Sequence, residues 1–344
     1  MIIVTGGAGF IGSALIAALN KRTSCDILVV DELAGPATAS ASAETSDQKW
    51  KNLRNLSFAD YVEKDDFLEM VVENKLGGPI EAVFHLGACT STTEINASYL
   101  IKNNYEYTKL LAQWASDANI RFIYASSAAT YGDGSAGFSD DEEKIENLRP
   151  LNMYGYSKHL FDLWARRSEL LKKIVGLKYF NVFGPNEYHK SDMRSFVVKA
   201  FEQIKTTGKV RLFKSYKSEF KDGEQMRDFI YVKDAVDITL FFLDKPKITG
   251  LFNIGTGKAR TWNDLVKSVF AAMGKKPNLV PSGVEGIEYI DMPESIRNQY
   301  QYYTCADITK LKHAGCKKQP TPLETAIKDY VQNYLQKNGY LTGI

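Results

Sequence analysis

Tyr154 and Lys158 stand four residues apart in Tyr154-Gly155-Tyr156-Ser157-Lys158, so on a helix they share one face. An ammonium beside a phenol favours the phenolate, and a tyrosine in that setting can exchange a proton near neutral pH. Ser127, in the run Ser126-Ser127-Ala128-Ala129-Thr130-Tyr131-Gly132, can hydrogen-bond the same reacting oxygen. Alone, a tyrosine and a lysine at this spacing are more often a packed ring beside a surface lysine. The motifs upstream reverse that weighting.

The first of these is Thr5-Gly6-Gly7-Ala8-Gly9-Phe10-Ile11-Gly12, which closes a short apolar run and opens a helical pattern. Gly6 suits a tight turn, Gly9 lets backbone N–H groups approach a pyrophosphate, and Gly12 lets the helix lie close to a sheet. Asp31 follows at the end of the next apolar run, where it can accept hydrogen bonds from the ribose hydroxyls of an adenosine. With Glu32 beside it, it repels a 2′-phosphate, which favours NAD over NADP. Lys49 and Lys64 can offset that repulsion if they fold nearby, although a lone lysine is usually a solvated one.

These groups need strands and helices to hold them. Short apolar runs, Ile2 to Thr5, Asp26 to Asp31, Ala82 to Leu86, Arg121 to Ser126 and Val175 to Phe180, alternate with helical spacing such as Ile11-Ala14-Leu15-Ala18-Leu19 and Tyr107-Leu110-Leu111-Trp114. That alternation predicts an α/β fold, a doubly wound parallel sheet of the Rossmann type. After Pro185 the pattern turns mixed, with a helix at Ser195 to Lys205, strands at Val210 to Phe213, Asp228 to Val232 and Leu251 to Gly255, and a helical end at Thr321 to Gln336. A smaller α+β substrate-binding domain is expected over the strand ends. The division predicted is 1–180 for dinucleotide binding, with 228–257 partly returning to it, and 181–227 with 258–344 for the substrate. The stretch Ala34 to Gln48, rich in Ala, Ser and Thr, reads as a mobile surface excursion.

Composition removes other classes. The 344 residues are 44% apolar and 24% charged, which argues against disorder, and 43 Lys+Arg against 41 Asp+Glu give no general pull on nucleic acid or an anionic membrane. Four scattered cysteines and four histidines suggest neither a disulfide framework nor a metal site. The acidic run Asp140 to Glu143 has no ligand spacing and reads as a solvated face. With no export signal or spanning run, a cytoplasmic protein is expected.

Taken together, the glycine turn, the Ser127, Tyr154 and Lys158 set, Asn181-Val182-Phe183-Gly184-Pro185 and Arg227-Asp228-Phe229-Ile230-Tyr231-Val232 resemble the extended short-chain dehydrogenase/reductases that act on nucleotide sugars. His85 to Glu94, Ser126 to Gly132 and Gly184-Pro185-Asn186-Glu187-Tyr188-His189-Lys190 are similar to the branch that inverts C6″ of an ADP-heptose, a lipopolysaccharide precursor. The resemblance covers nearly the whole chain and implies bound NADP, with NAD left open by Asp31 and Glu32. Hydride would leave C6″ and return to the opposite face, with Tyr154 and Lys190 as two acid/base groups and Lys158 holding the nicotinamide ribose.

By residue match, Phe10, Ile11, Asp31, Glu32, Lys49, Lys64, Leu86, Gly87, Ala88, Cys89, Thr90, Asn103, Val182 and His189 contact the cofactor. Ser127, Asn181, Asp192, Lys199, Phe213, Arg227 and Tyr300 take substrate positions. From the residues alone, Lys190 reads as a solvated loop lysine, and Arg227 either binds the ADP pyrophosphate or pairs with Asp228 or Asp234. Four positions depart from the family: Asp192 for a serine, Lys199 for a histidine, Glu32 for an asparagine and Leu86 for a glutamate. The resemblance also implies a homo-oligomer, specifically a homopentamer. The rivals are a related 4-epimerase or reductase, which does not need Lys190, and a non-catalytic nicotinamide sensor, which has no use for Tyr154 and Lys158.

Overall fold

In the computed structural model, residues 1–33, 48–275, 278–280, 283–297 and 300–343 are described. All of the Ala34 to Gln48 excursion except Gln48 lies outside them. The strands in chain order are β1 (Ile2–Thr5), β2 (Ile27–Asp31), β3 (Asp60–Glu63), β4 (Ala82–His85), β5 (Arg121–Ser127), β6 (Val175–Tyr179), β7 (Asn181–Phe183), β8 (Val210–Phe213), β9 (Met226–Arg227), β10 (Phe229–Tyr231), β11 (Gly250–Ile254), β12 (Arg260–Thr261), β13 (Asn278–Val280), β14 (Gly283–Glu285) and β15 (Ile287–Ile290). Seven form one parallel sheet in the order β11-β6-β5-β4-β1-β2-β3.

The direction of winding reverses at β1, whose Ile2 pairs with Ile27 on one side and Ala82 on the other. Ligands bind outside the strand ends at such a point. Successive side chains of β1 alternate between faces, so Ile2 and Val4 enter one apolar core and Ile3 the other. Both faces are covered, which is why these runs are apolar throughout. Fully burying a residue such as Ile3 or Val83 contributes about 1.5–3 kcal/mol.

The main helices are α1 (Phe10–Lys21), α2 (Lys64–Val72), α3 (Tyr107–Asp117), α4 (Met153–Arg167), α5 (Phe196–Thr207), α6 (Val232–Asp244), α7 (Trp262–Ala272) and α8 (Leu323–Asp329). A π-helical segment, Ile101–Glu106, leads into α3, and another, Tyr330–Tyr334, continues α8. The chain leaves the sheet after β6 and returns to it at β11, where Val175 pairs with Gly250. Between and after these strands, β7 pairs with β10, β9 with β12, and β8 with β15. Among the described residues no helix is long and apolar enough to cross a membrane.

Several elements differ from expectation, among them β3, the strand at 228–232 and the short strands β7, β9 and β12 to β15, which were not expected. β3, Asp60-Tyr61-Val62-Glu63, has exposed acidic ends and sits at the sheet edge, where apolar patterning is not required. The strand expected over Asp228 to Val232 stops at Tyr231, because Val232 already begins α6 with Asp234 in its first turn.

Candidate functional site

The glycine turn forms because few other residues could. Gly6 has φ +69°, and a Cβ there would lie 2.6 Å from the backbone nitrogen of Gly87, so the loops after β1 and β4 touch. A Cβ on Gly12 would lie 2.0 Å from the carbonyl oxygen of Gly6. No side chain caps α1, so the N–H groups of its first turn, beginning at Phe10 and Ile11, face the space before Gly9. An uncapped helix start behind a backbone cradle fits a dinucleotide pyrophosphate.

Asp31 does more than await a ribose. Its buried carboxylate accepts from the Ala8 N–H at 2.8 Å and the Glu32 N–H at 2.7 Å, and it pairs with Lys49. Lys49 also donates to the Glu32 carbonyl at 3.0 Å, and the Lys64 ammonium lies 3.8 Å from the Glu32 carboxylate. Lys49 and Lys64 thus fold beside the two acids, the arrangement in which they could offset repulsion of a 2′-phosphate, although Lys64 also donates to Asp65 at 3.0 Å. Asp31 anchors the turn, with Lys49 bonded to it.

The β4 loop is fixed from behind. Thr5 Oγ1 lies 2.7 Å from His85 Nδ1, and Thr108 Oγ1 lies 2.9 Å from His85 Nε2. Thr108 donates to the Asn104 carbonyl, which assigns the ring proton to Nε2 and leaves Nδ1 accepting from Thr5. Burial pushes His85 down to about 3, so it stays neutral. Leu86 donates its N–H to the Thr5 carbonyl, and the Gly87 N–H reaches the Thr5 hydroxyl at 3.3 Å. The Asn104 amide holds Cys89 at both its N–H and its carbonyl, at 2.8 and 2.9 Å. Ala88 is half-buried, Thr90 is exposed, and Asn103 donates to the Tyr99 carbonyl within the π-helical segment.

Across from the glycine turn, β5 ends at Ser127, whose hydroxyl accepts from the Ala129 N–H at 3.1 Å. Tyr154 and Lys158 share a face of α4, which Asn152 caps by accepting from the Gly155 N–H. Burial raises the Tyr154 phenol, and hydrogen bonding with Ser127 opposes that rise. The expected agent of a lower phenol pKa was Lys158; the structure corrects this. The Lys158 ammonium, 4% exposed, donates instead to the Ala125 carbonyl at 2.9 Å, and burial pushes it down to about 8 with Asp162 opposing. Beneath them Asp162 accepts from Tyr124, Ser126 and Lys178. Thr130 then accepts from Lys178 and donates to the Ser127 carbonyl at 2.8 Å.

Lys190 stands at the start of α1. Its ammonium lies 5.5 Å from the centre of the Phe10 ring, and burial lowers its pKa with Glu187 opposing. His189, pushed down to about 3 chiefly by burial, lies with Nδ1 3.1 Å from the Asn52 amide. Val182 in β7 pairs with Ile230, and the Asn181 N–H donates to the Asp228 carbonyl. Lys199 donates to the backbone carbonyl of Asp192 at 2.6 Å, so these two unusual residues are neighbours.

Arg227 is 6% exposed, and among the described residues no carboxylate pairs with it. Asp228 is spent on Thr256, Gly257 and Ala306, and Asp234 on Thr321 and Lys318. The guanidinium instead lies 5.6 Å from the Trp262 ring centre and 5.0 Å from that of Tyr300, and donates once to the Met226 carbonyl. Tyr300 accepts from the Trp262 indole at 2.8 Å and meets Phe213 edge to face. A buried cation held by aromatic faces is ready for an anion.

The model of the NAD dependent epimerase/dehydratase family matches residues 2–255. The chain belongs to this family. Over 335 residues, 97% of this chain and 98% of the relative, it is 52% identical to the ADP-L-glycero-D-manno-heptose-6-epimerase of Nitratidesulfovibrio vulgaris. Identity to the enzyme of that name from Fusobacterium nucleatum is 48% over 340 residues, 98% of each chain. Among solved structures, the Helicobacter pylori ADP-L-glycero-D-manno-heptose-6-epimerase superposes with a TM-score of 0.77 at 27% identity, covering 96% of this chain and 95% of that one.

Within this epimerase/dehydratase chain, sequence reasoning passed over Asn52 and Trp262. The buried Asn52 amide donates to the Ala8 and Asn186 carbonyls at 2.8 and 3.0 Å, tying the glycine turn to the Lys190 loop. Trp262 begins α7 behind the capping box of Thr261 and Asp264, which was the one local signal that could have placed it.

Proposed function

We propose that this protein inverts C6″ of ADP-D-glycero-β-D-manno-heptose to give ADP-L-glycero-β-D-manno-heptose, a lipopolysaccharide precursor, with NADP as its bound cofactor. The observation that carries this is the Lys190 ammonium 5.5 Å from the centre of the Phe10 ring, at the glycine turn, which supports reading it as a second proton-transferring group beside Ser127 and Tyr154. A 4-epimerase or reductase has no need of it. The full-length 52% and 48% identities support the same substrate.

The glycine turn and the first N–H groups of α1 would hold the cofactor pyrophosphate, Lys49 and Lys64 the adenosine 2′-phosphate, and Lys158 the nicotinamide ribose. When bound, NADP would supply the transient oxidation of C6″ and its re-reduction. Everything else falls to side chains. Arg227 grips the ADP pyrophosphate through its planar fork, beside Phe213 and Tyr300. Inversion requires the C6″ carbonyl to present its other face, so its oxygen changes position between the two halves of the reaction. Tyr154 Oη, steadied by Ser127, serves the oxygen in one position, and Lys190 Nζ serves it in the other. A lysine lowered by burial can give and retake a proton nearer neutrality than a solvated one.

In this reading 1–180 with 228–257 bind the dinucleotide, 181–227 with 258–344 bind the sugar nucleotide, and the enzyme is a cytoplasmic homopentamer. The direct test incubates it with ADP-D-glycero-D-manno-heptose and follows the C6″ configuration by NMR. Unchanged substrate over cofactor-loaded protein overturns the proposal. Tyr154→Phe and Lys190→Met should each lower kcat about 10²- to 10⁴-fold while leaving residual turnover that can be measured, and chromatography of the cofactor released on denaturation should yield NADP.

A further inference from the structure

We infer that Glu187 is a positioning residue for Lys190, closing the loop that carries it. The inference rests on the reading of Lys190 as the second proton-transferring group. Glu187 is 1% exposed. One carboxylate oxygen accepts from the Gly184 N–H at 3.2 Å and the Ser195 hydroxyl at 2.7 Å, and the other accepts from the Ser195 N–H. The side chain therefore ties both ends of the segment 184–195, at whose middle Lys190 sits.

That segment holds itself in an unfavourable shape. Asn186 and Ser191 have φ +77° and +46°, positive values that non-glycine residues adopt uncommonly, Ser191 with ψ −123° outside the left-handed helical region, and such a backbone persists where the surroundings enforce it. The enforcement is visible. The Asn186 amide donates to Ser13 at 3.0 Å and accepts from the Leu341 N–H at 2.9 Å, while Glu187 closes the loop. The Lys190 N–H donates to the Glu187 carbonyl at 3.1 Å, so the turn that launches the lysine starts at the clasp itself.

Charge gives a second reason. Among the described residues no lysine or arginine forms an ion pair with Glu187, and burial of such a carboxylate is costly and raises its pKa. A neutral amide could accept from a loop end at lower cost. The groups around Lys190 are Glu187 and His189 from its own loop and the Phe10 ring from α1, with Lys49 beyond His189. His189 is neutral above about 3, which leaves Glu187 as the charge that opposes the effect of burial on the ammonium.

The test is a kinetic double-mutant cycle of Glu187→Gln and Lys190→Met in the cofactor-loaded, full-length enzyme, read as kcat and KM for the ADP-heptose. Misplacing Lys190 should lower kcat about 10- to 100-fold with KM changed less than about threefold. In the Lys190→Met background Glu187→Gln should add nothing, because its route of action is already gone. The limb of the kcat/KM pH profile that disappears in Lys190→Met should move to lower pH in Glu187→Gln, a shift that a merely structural role would not produce. If Glu187→Gln does not fold, Ser195→Ala, which removes one donor and keeps the carboxylate, replaces it in the same cycle. Multiplicative losses, an unmoved limb or wild-type kcat in Glu187→Gln overturn the inference alone. A wild-type rate in Lys190→Met overturns the reading of Lys190 and the inference with it.

Discussion

Replacing Arg227 with methionine separates binding from folding. Of the five N–H donors of the guanidinium, one is taken, by the Met226 carbonyl at 2.8 Å, and no carboxylate pairs with the charge among the described residues. A fork that closes on a pyrophosphate makes charge-assisted hydrogen bonds of about 1.5–3 kcal/mol. Arg227→Met should therefore weaken ADP binding about 10- to 150-fold. Stability should move the other way. The native protein bears the desolvation of a buried, carboxylate-free cation, and an apolar chain of similar length between Trp262 and Tyr300 removes that cost. Unfolding free energy should stay level or rise by about 1 kcal/mol, within the range for such replacements. Arg227→Lys keeps charge but not the fork and should fall between, near tenfold. Isothermal titration with ADP, paired with urea unfolding, reads both quantities. A variant destabilised by more than about 2 kcal/mol with ADP affinity intact would show a structural cation and refute the anion subsite.

Gly12→Ala should release the cofactor, seen as lost dinucleotide absorbance after gel filtration, because the new Cβ meets backbone at 2.0 Å and nothing flexible can yield. Acid should weaken the fold through His85, whose pKa is about 3 here and 6.5 when unfolded. The unfolded chain binds the extra proton between those values, so stability is full above pH 6.5 and is lost as pH falls toward 3, by about 2 kcal/mol between pH 7 and 5. Urea midpoints of His85→Gln should show that much less pH dependence. Lys49→Met should raise the Kd for NADP at least about tenfold more than that for NAD, measured by fluorescence titration, since one charge beside a phosphate is lost. Equal losses for both would mean that Lys49 serves only the Asp31 anchor.

What could be read in the sequence were the parts whose physics is local. The glycine turn announces itself because Gly6 and Gly12 have no room for a Cβ, and the apolar strands because both faces of the sheet are covered. Helical spacing alone puts Tyr154 and Lys158 on one face. Long-range partners left no such trace. Nothing near Asn52 hints that its amide joins Ala8 to Asn186, 134 residues away from it. The fates of Asp31 and Asp228 were likewise invisible, since backbone N–H groups from distant segments occupy them. β3 was missed because an edge strand with exposed acidic ends carries no apolar alternation.

The same distant partners explain how a chain of net charge +2 can serve an anionic substrate. Its buried acids are spent internally: Asp31 on Ala8, Glu32 and Lys49, Asp162 on Lys178, Glu187 on Gly184 and Ser195, and Asp228 on Thr256, Gly257 and Ala306. The cations at the cleft are not matched in this way. Lys158 donates to a carbonyl, Lys190 stands over a ring, and Arg227 lies between two, with burial lowering all three. A cleft whose three cations form no ion pair with a carboxylate, while its acids are held by N–H groups, hydroxyls and lysines, presents positive charge to a ligand whatever the total. Salt should expose this, with kcat/KM for the ADP-sugar falling as ionic strength rises while kcat holds, because the field acts on the approaching diphosphate and the chemistry takes place where salt does not screen.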